Sequence, residues 1–151
     1  MTPEEKLRQM GIELPGVAAP VANYVPFRRA GDCLYISGQL PSAGGEVLYK
    51  GKVGAQVTVD DARAAARLCA INILAAARAA VGDLSTVEVI RVEGFVASAE
   101  GFTAQPTVIN GASDFLVEVL GDAGRHARFA VGVPELPLGA CVEVAAILKV
   151  S

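Results

Sequence analysis

The chain has no tryptophan, one histidine and three cysteines in 151 residues, and only 5% of it is aromatic. Each shortage removes a class of function. A single histidine, His126, excludes a multi-histidine metal site within one chain and confines any serine–histidine arrangement to its own neighbourhood. Cys33, Cys69 and Cys141 lie far apart without CxxC spacing. That argues against a zinc site and a disulfide framework, and leaves them as small buried hydrophobes. Charge is scarce too, at 19% of residues, with 13 basic against 16 acidic side chains and a net charge of -3. No basic cluster or aromatic-interleaved stripe occurs, so no nucleic-acid partner is expected. The longest apolar runs fall short of the ~20 residues of a membrane span. The start, "MTPEEKLRQM", is acidic and polar where a signal peptide would be basic and then apolar. The expectation is a cytoplasmic protein with no membrane partner.

What is abundant is apolar surface: 52% of residues are hydrophobic, above the average for a soluble domain. An alanine-rich helix, "ARAAARLCAINILAAARAA", supplies part of the excess, and an oligomer interface would account for the rest. At this length residues 1–151 read as one domain, with no internal repeat or linker. Residues 1–20 hold a short helix and an extended, proline-studded arm. Thr2, Pro3 and Glu5 signal the helix through a capping box and a first-turn proline, and Gly11 ends it.

"YVPFRRAGDCLYISGQLP" reads as two strands around Ala30-Gly31-Asp32, with a Gly/Pro-rich loop after them. A long helix runs from a Thr58/Asp61 cap to Val81, where Gly82 stops it. "STVEVIRVEGFVAS" reads as a long strand and "QPTVINGASDFLVEVLG" as a shorter helix ending at Gly121. Two strands, "HARFAVGV" and "CVEVAAIL", close a β-β-α-β-α-β-β order. Two helices cover one face of such a sheet, so the other face needs a partner.

Each of the last two strands carries one charge among apolar and small residues: Arg128 and Glu143. Alternation places Arg128 with Ala130 and Gly132, opposite Phe129, Val131 and Val133. It places Glu143 with Cys141 and Ala145, opposite Val142 and Val144. With the bulky apolar sets on the helix-covered side, both charges are expected on the bare face, where small neighbours leave room for a ligand. An Arg–Glu ion pair across an oligomer interface fits the same pattern, and the residues alone leave both readings open.

The order "NYVPF…CLYISGQLP…INGASDF…HARFAV…ELPLGACVEVAA" resembles the Rid family of reactive-intermediate deaminases, also called YjgF or L-PSP proteins, over about residues 20 to 150. The N-terminal helix, "QPTVINGAS" and "GRHAR" resemble a longer bacterial branch. The resemblance implies an α+β, chorismate-mutase-like fold with a mixed sheet and two helices on one face. It also implies a homotrimer with clefts between subunits. It separates the last two strands in the sheet, where sequence proximity alone would pair them as a hairpin. The implied activity is hydrolysis of 2-imino or 2-enamino acids to 2-keto acids and ammonia, without cofactor or metal. Arg128 matches the arginine that binds the substrate carboxylate, and Glu143 the glutamate that holds the attacking water. Tyr24, Ser37 and Gly38 match pocket residues, the backbone at Ala130 a further ligand contact, and Asn110 an asparagine lining the cleft.

These residue types suit the chemistry: a guanidinium clamps a carboxylate with two hydrogen bonds, and a carboxylate accepts a proton from water attacking the imine carbon. Where the family has Pro-Ala-Arg-Ser, this chain has His126-Ala127-Arg128-Phe129. Alternation makes Phe129 core packing and puts His126 at the pocket mouth. The alternatives are a trimer that captures small carboxylates without turnover, and an endoribonuclease of the L-PSP type.

Overall fold

The computed structural model of the chain describes residues 1–17 and 22–151; the expected arm at residues 18–20 falls outside them. Helix α1 (Pro3–Gln9) begins with the anticipated box: Thr2 Oγ1 accepts from the Glu5 N–H, and the Glu5 carboxylate accepts from the Thr2 N–H. Leu7 and Leu14 are buried, and Arg78 donates to the Leu14 carbonyl, so this N-terminal segment packs into the main core.

Strands β1 (Phe27–Ala30) and β2 (Cys33–Gln39) form the hairpin around Gly31. The loop after them holds a small two-stranded ribbon, β3 (Ser42–Ala43) and β4 (Glu46–Val47). Helix α2 (Val59–Val81) is capped by Thr58, whose hydroxyl accepts from the Asp61 N–H, and ends at Gly82 with φ 81°. Strand β5 (Val87–Ala97), helix α3 (Gln105–Leu120), strand β6 (Ala127–Val133) and strand β7 (Val142–Val150) complete the chain.

The sheet order is β1-β2-β7-β5-β6. β5 lies between β6 and β7, parallel to the first and antiparallel to the second. The last two strands are therefore separated rather than paired as a hairpin. This is a mixed α+β architecture, with one parallel and three antiparallel pairings in a five-stranded sheet. It leaves β6 as an edge strand, open along one side.

Alternate residues of the strands are buried in one cluster with the helices: Leu34 and Ile36 of β2, Val89, Val92 and Val96 of β5, and Val142, Val144, Ala146 and Leu148 of β7. The opposite face carries Tyr35, Phe95, Phe129, Val131 and Ile147, none fully buried. α2 has the length and mean hydropathy (1.5) of a membrane span, but over half of that window is buried inside the fold. It is the core helix, and its alanines let it lie close to the sheet.

Asn72, which no sequence pattern marks, is buried on α2 and donates to the Leu40 and Ser42 carbonyls. It pins the loop leaving β2. The cysteines are free thiols: Cys69 and Cys141 are buried and Cys33 is partly buried. Burial pushes the Cys141 thiol up to about 11 and the Cys69 thiol well above its ordinary value.

Candidate active site

The β2–β7 pairing is irregular between Ile36 and Gln39, and the irregularity brings Gly38 against Glu143. A Cβ on residue 38 would occupy the space of the Glu143 carboxylate, so only glycine lets this acid lie flat on the strand. Glu143 is half-buried on the open face, and loss of hydration raises its carboxyl above the usual value. Among the described residues it forms no ion pair within 4.0 Å.

Ser37 donates its hydroxyl to the Val25 carbonyl at 2.6 Å and its N–H to the Pro26 carbonyl. Those two bonds tie the segment carrying Tyr24 to β2. Tyr24 itself is 61% exposed, with its ring available to a neighbouring molecule. Gly38→Ala should therefore evict the Glu143 carboxylate while leaving the core intact. The expected result is a folded chain with near-wild-type thermal stability in which the Glu143 carboxylate is displaced from β2. Thermal unfolding by circular dichroism, with a crystal structure of the variant, checks it.

The second group of residues lies at the opposite edge of the sheet. Strand β6 is parallel to β5 in the register Val92↔Arg128 and Gly94↔Ala130, so Arg128 and Ala130 share the face of the buried Val92 and Gly94. This corrects the expectation that Arg128 faces the bare side. The β7 pattern places Glu143 on the open face as expected, but β6 is an edge strand with its bulky residues on the open side. There Phe129 packs edge-to-face on Phe95 at 5.4 Å, with the Arg91 guanidinium 5.2 Å over its ring. Phe129 is therefore part of the open-face cluster and not of the helix-side core.

On the helix side Arg128 reaches α3. Its Nη1 donates to Ser113 Oγ at 3.0 Å and its Nη2 to the Pro106 carbonyl at 3.2 Å. Both acceptors are neutral, and Arg128 makes no ion pair among the described residues. Two of its five N–H donors are used, which leaves a full positive charge and three donors for a ligand. Pro106, Asn110 and Ser113 are spaced at i, i+4 and i+7, one stripe of α3. Asn110 thus sits between the two anchors of the guanidinium. His126 is bound to Ser113 (Nε2···Oγ 2.8 Å) instead of opening to a pocket mouth.

The sequence-predicted residues therefore fall into two separate groups: Tyr24, Ser37, Gly38 and Glu143 in one, Arg128, Asn110 and Ala130 in the other. They do not meet within one chain. Glu143 is level with Phe95 and Val131, two strands and three residues from Arg128. That spacing puts their Cα atoms about 14 Å apart, with the side chains on opposite faces. Ser113 is the residue that sequence reasoning missed, although its place on the Pro106–Asn110 stripe was available as a signal. Among the described residues no three His, Cys, Asp or Glu side chains converge as a metal-ligand set.

The family model described as "YjgF/chorismate_mutase-like, putative endoribonuclease" matches residues 4–148. The Trypanosoma cruzi protein TCP17 is 46% identical over 147 residues, covering 96% of this chain and 92% of its own. The solved structure of Atu1372 from Agrobacterium tumefaciens, of unknown function, superposes with a TM-score of 0.92 at 49% identity, covering 99% of this chain and 92% of that one. Escherichia coli TdcF, solved with bound serine, lies further off. It has 26% identity and a TM-score of 0.63, and the match covers 91% of this chain and 93% of that one.

Proposed function

The chain belongs to the YjgF/chorismate-mutase-like family, and from that premise we propose that it hydrolyses reactive 2-imino and 2-enamino acids to 2-keto acids and ammonia. The reaction takes place in clefts between the subunits of a homotrimer, with no cofactor or metal. The observation that carries this reading is a matched pair of unspent charges. Among the described residues Arg128 is held only by neutral acceptors, and Glu143 is a partly desolvated carboxylate with no cation within 4.0 Å, the two on opposite faces of the sheet. A second copy whose β6 edge approaches the open face beside β2 and β7 brings the two halves together. The apolar residues left on that face, Tyr35, Phe95, Phe129 and Val131, supply the surface for such contact.

The residue types then set the chemistry. Arg128 takes the substrate carboxylate, with the edge-strand backbone at Ala130 and Asn110 beside it. Glu143 of the neighbouring copy, with Ser37, Gly38 and Tyr24 around it, holds a water over the imine carbon. As the water oxygen bonds to that carbon, its proton passes to Glu143 and the C=N pair goes to nitrogen. Return of that proton to nitrogen gives the carbinolamine. Glu143 then takes the hydroxyl proton and passes it to the amino nitrogen, the oxygen pair forms the C=O bond as the C–N bond breaks, and ammonia leaves the keto acid. A raised carboxyl value makes Glu143 a stronger base toward the attacking water. Serine bound to TdcF agrees with a pocket for a small amino-acid-like carboxylate.

The test is release of 2-keto acid and ammonia from freshly generated 2-iminobutanoate at a rate above the spontaneous one. Keto-acid binding with no turnover would instead make the protein a carboxylate-binding trimer. Cleavage of RNA would favour the ribonuclease reading, which a net charge of -3 disfavours.

A further inference from the structure

Arg128 is useful as a clamp only if its long side chain is already aimed, and the residues that aim it are on α3 and just before β6. Ser113 Oγ contacts two groups at once, Arg128 Nη1 at 3.0 Å and His126 Nε2 at 2.8 Å. His126 Nδ1 lies 2.6 Å from the Gly124 carbonyl oxygen.

The direction of each hydrogen bond in this series is fixed from its ends. A carbonyl only accepts, so Nδ1 carries the proton and, in the neutral imidazole, Nε2 is the acceptor. The Ser113 hydroxyl must then donate to Nε2, which turns its lone pairs toward Arg128, and a guanidinium only donates. Gly124 is itself held in place: it is buried, and a Cβ there would overlap the Leu116 carbonyl. Without His126 the Ser113 hydrogen would be free to rotate toward the guanidinium, and the aim of the clamp would be lost.

We propose that Ser113 and His126 are positioning residues. They form a one-directional relay from the Gly124 carbonyl to Arg128 that pre-orients the guanidinium for a substrate carboxylate. The inference rests on the carboxylate-binding role proposed above for Arg128. The replacement of the family's proline by His126 then has a function: it supplies the acceptor that the Ser113 hydroxyl requires. The same groups resemble the serine–histidine pair of a hydrolase. Here, however, the serine oxygen is occupied by a cation, which disfavours it as a nucleophile and suits it as an anchor.

The experiment measures affinity for 2-ketobutyrate and for its uncharged amide, and KM and kcat for 2-iminobutanoate, on the full-length chain. Ser113→Ala and His126→Ala are each expected to weaken keto-acid binding about five- to tenfold, the loss of one hydrogen bond's worth of orientation. The amide should be unaffected, KM should rise, and kcat should change little, because the clamp acts equally on ground and transition states. Ser113→Thr, which keeps the hydroxyl, should restore the acid-over-amide preference. A merely structural role would lower binding of both ligands together and would sink the inference. So would labelling of Ser113 by a fluorophosphonate, since that makes the hydroxyl a nucleophile. Arg128→Ala in the same series separates two failures. If it weakens acid binding and the other two variants do not, the relay is wrong and the clamp stands; if it has no effect, the clamp itself is wrong.

Discussion

Glu143→Gln is expected to lower kcat for iminoacid hydrolysis by about 10²–10⁴-fold, the range of a general base, with no loss of stability at neutral pH. The carboxylate lies against Gly38 with its hydration partly removed and, among the described residues, no cation within 4.0 Å. Glutamine has the same shape and no charge to desolvate. The pH dependence has a definite sign. Because burial raises the folded-state carboxyl above its ordinary value, the native chain holds this proton over a window where the unfolded chain has released it. Native stability therefore falls as pH rises through that window, and the glutamine variant should lack this component of the slope. Thermal unfolding between about pH 4 and 8, together with steady-state rates, measures both effects. An unchanged kcat would remove Glu143 from the reaction.

Arg128→Ala is expected to cost keto-acid affinity on the order of ten- to a hundredfold, the loss of at least one charge-assisted hydrogen bond. The chain should stay folded, because the contacts given up are single bonds to Ser113 and to the Pro106 carbonyl at the sheet edge. Arg128→Lys should recover little: an ammonium cannot hold two α3 acceptors and still present a planar fork to a carboxylate. A structural Arg–Glu pair across the interface predicts a different pattern, in which Arg128→Ala weakens assembly by leaving Glu143 buried and unpaired. Sedimentation and isothermal titration on one preparation tell the two apart.

Most of the fold was legible because its signals are local. Thr2 and Thr58 cap the helices their sequence marks, and Gly82 and Gly121 end theirs. The alternation of β7 also matches the structure, with Val142, Val144 and Ala146 inward and Glu143 outward. Applied to β6, the same rule yields the right grouping and the wrong face. The rule assumes that bulky residues seek the helices, whereas an edge strand beside the Pro106–Ser113 stripe can place an arginine there and its phenylalanine on an open face. Neither the parallel placement of β6 nor the insertion of β5 between the strands of Arg128 and Glu143 is encoded locally. Both arise from long-range pairing, so sequence could single out Arg128 and Glu143 as isolated charges and not say which face or edge of the sheet each would take.

The division of the site between chains is tested most directly by mixing two impaired chains and assaying them well below the KM of the Arg128→Ala variant. Arg128→Ala and Glu143→Gln chains, tagged differently and coexpressed, are expected to assemble into mixed trimers if the proposed assembly holds. If each cleft takes Arg128 from one chain and Glu143 from the next, random assembly restores about a quarter of the sites, since each must draw one particular chain at both positions. Hydrolysis of 2-iminobutanoate should then return to about a quarter of the wild-type rate. If both residues act within one chain, every cleft carries one lesion or the other, and the mixture does no better than the average of its parents.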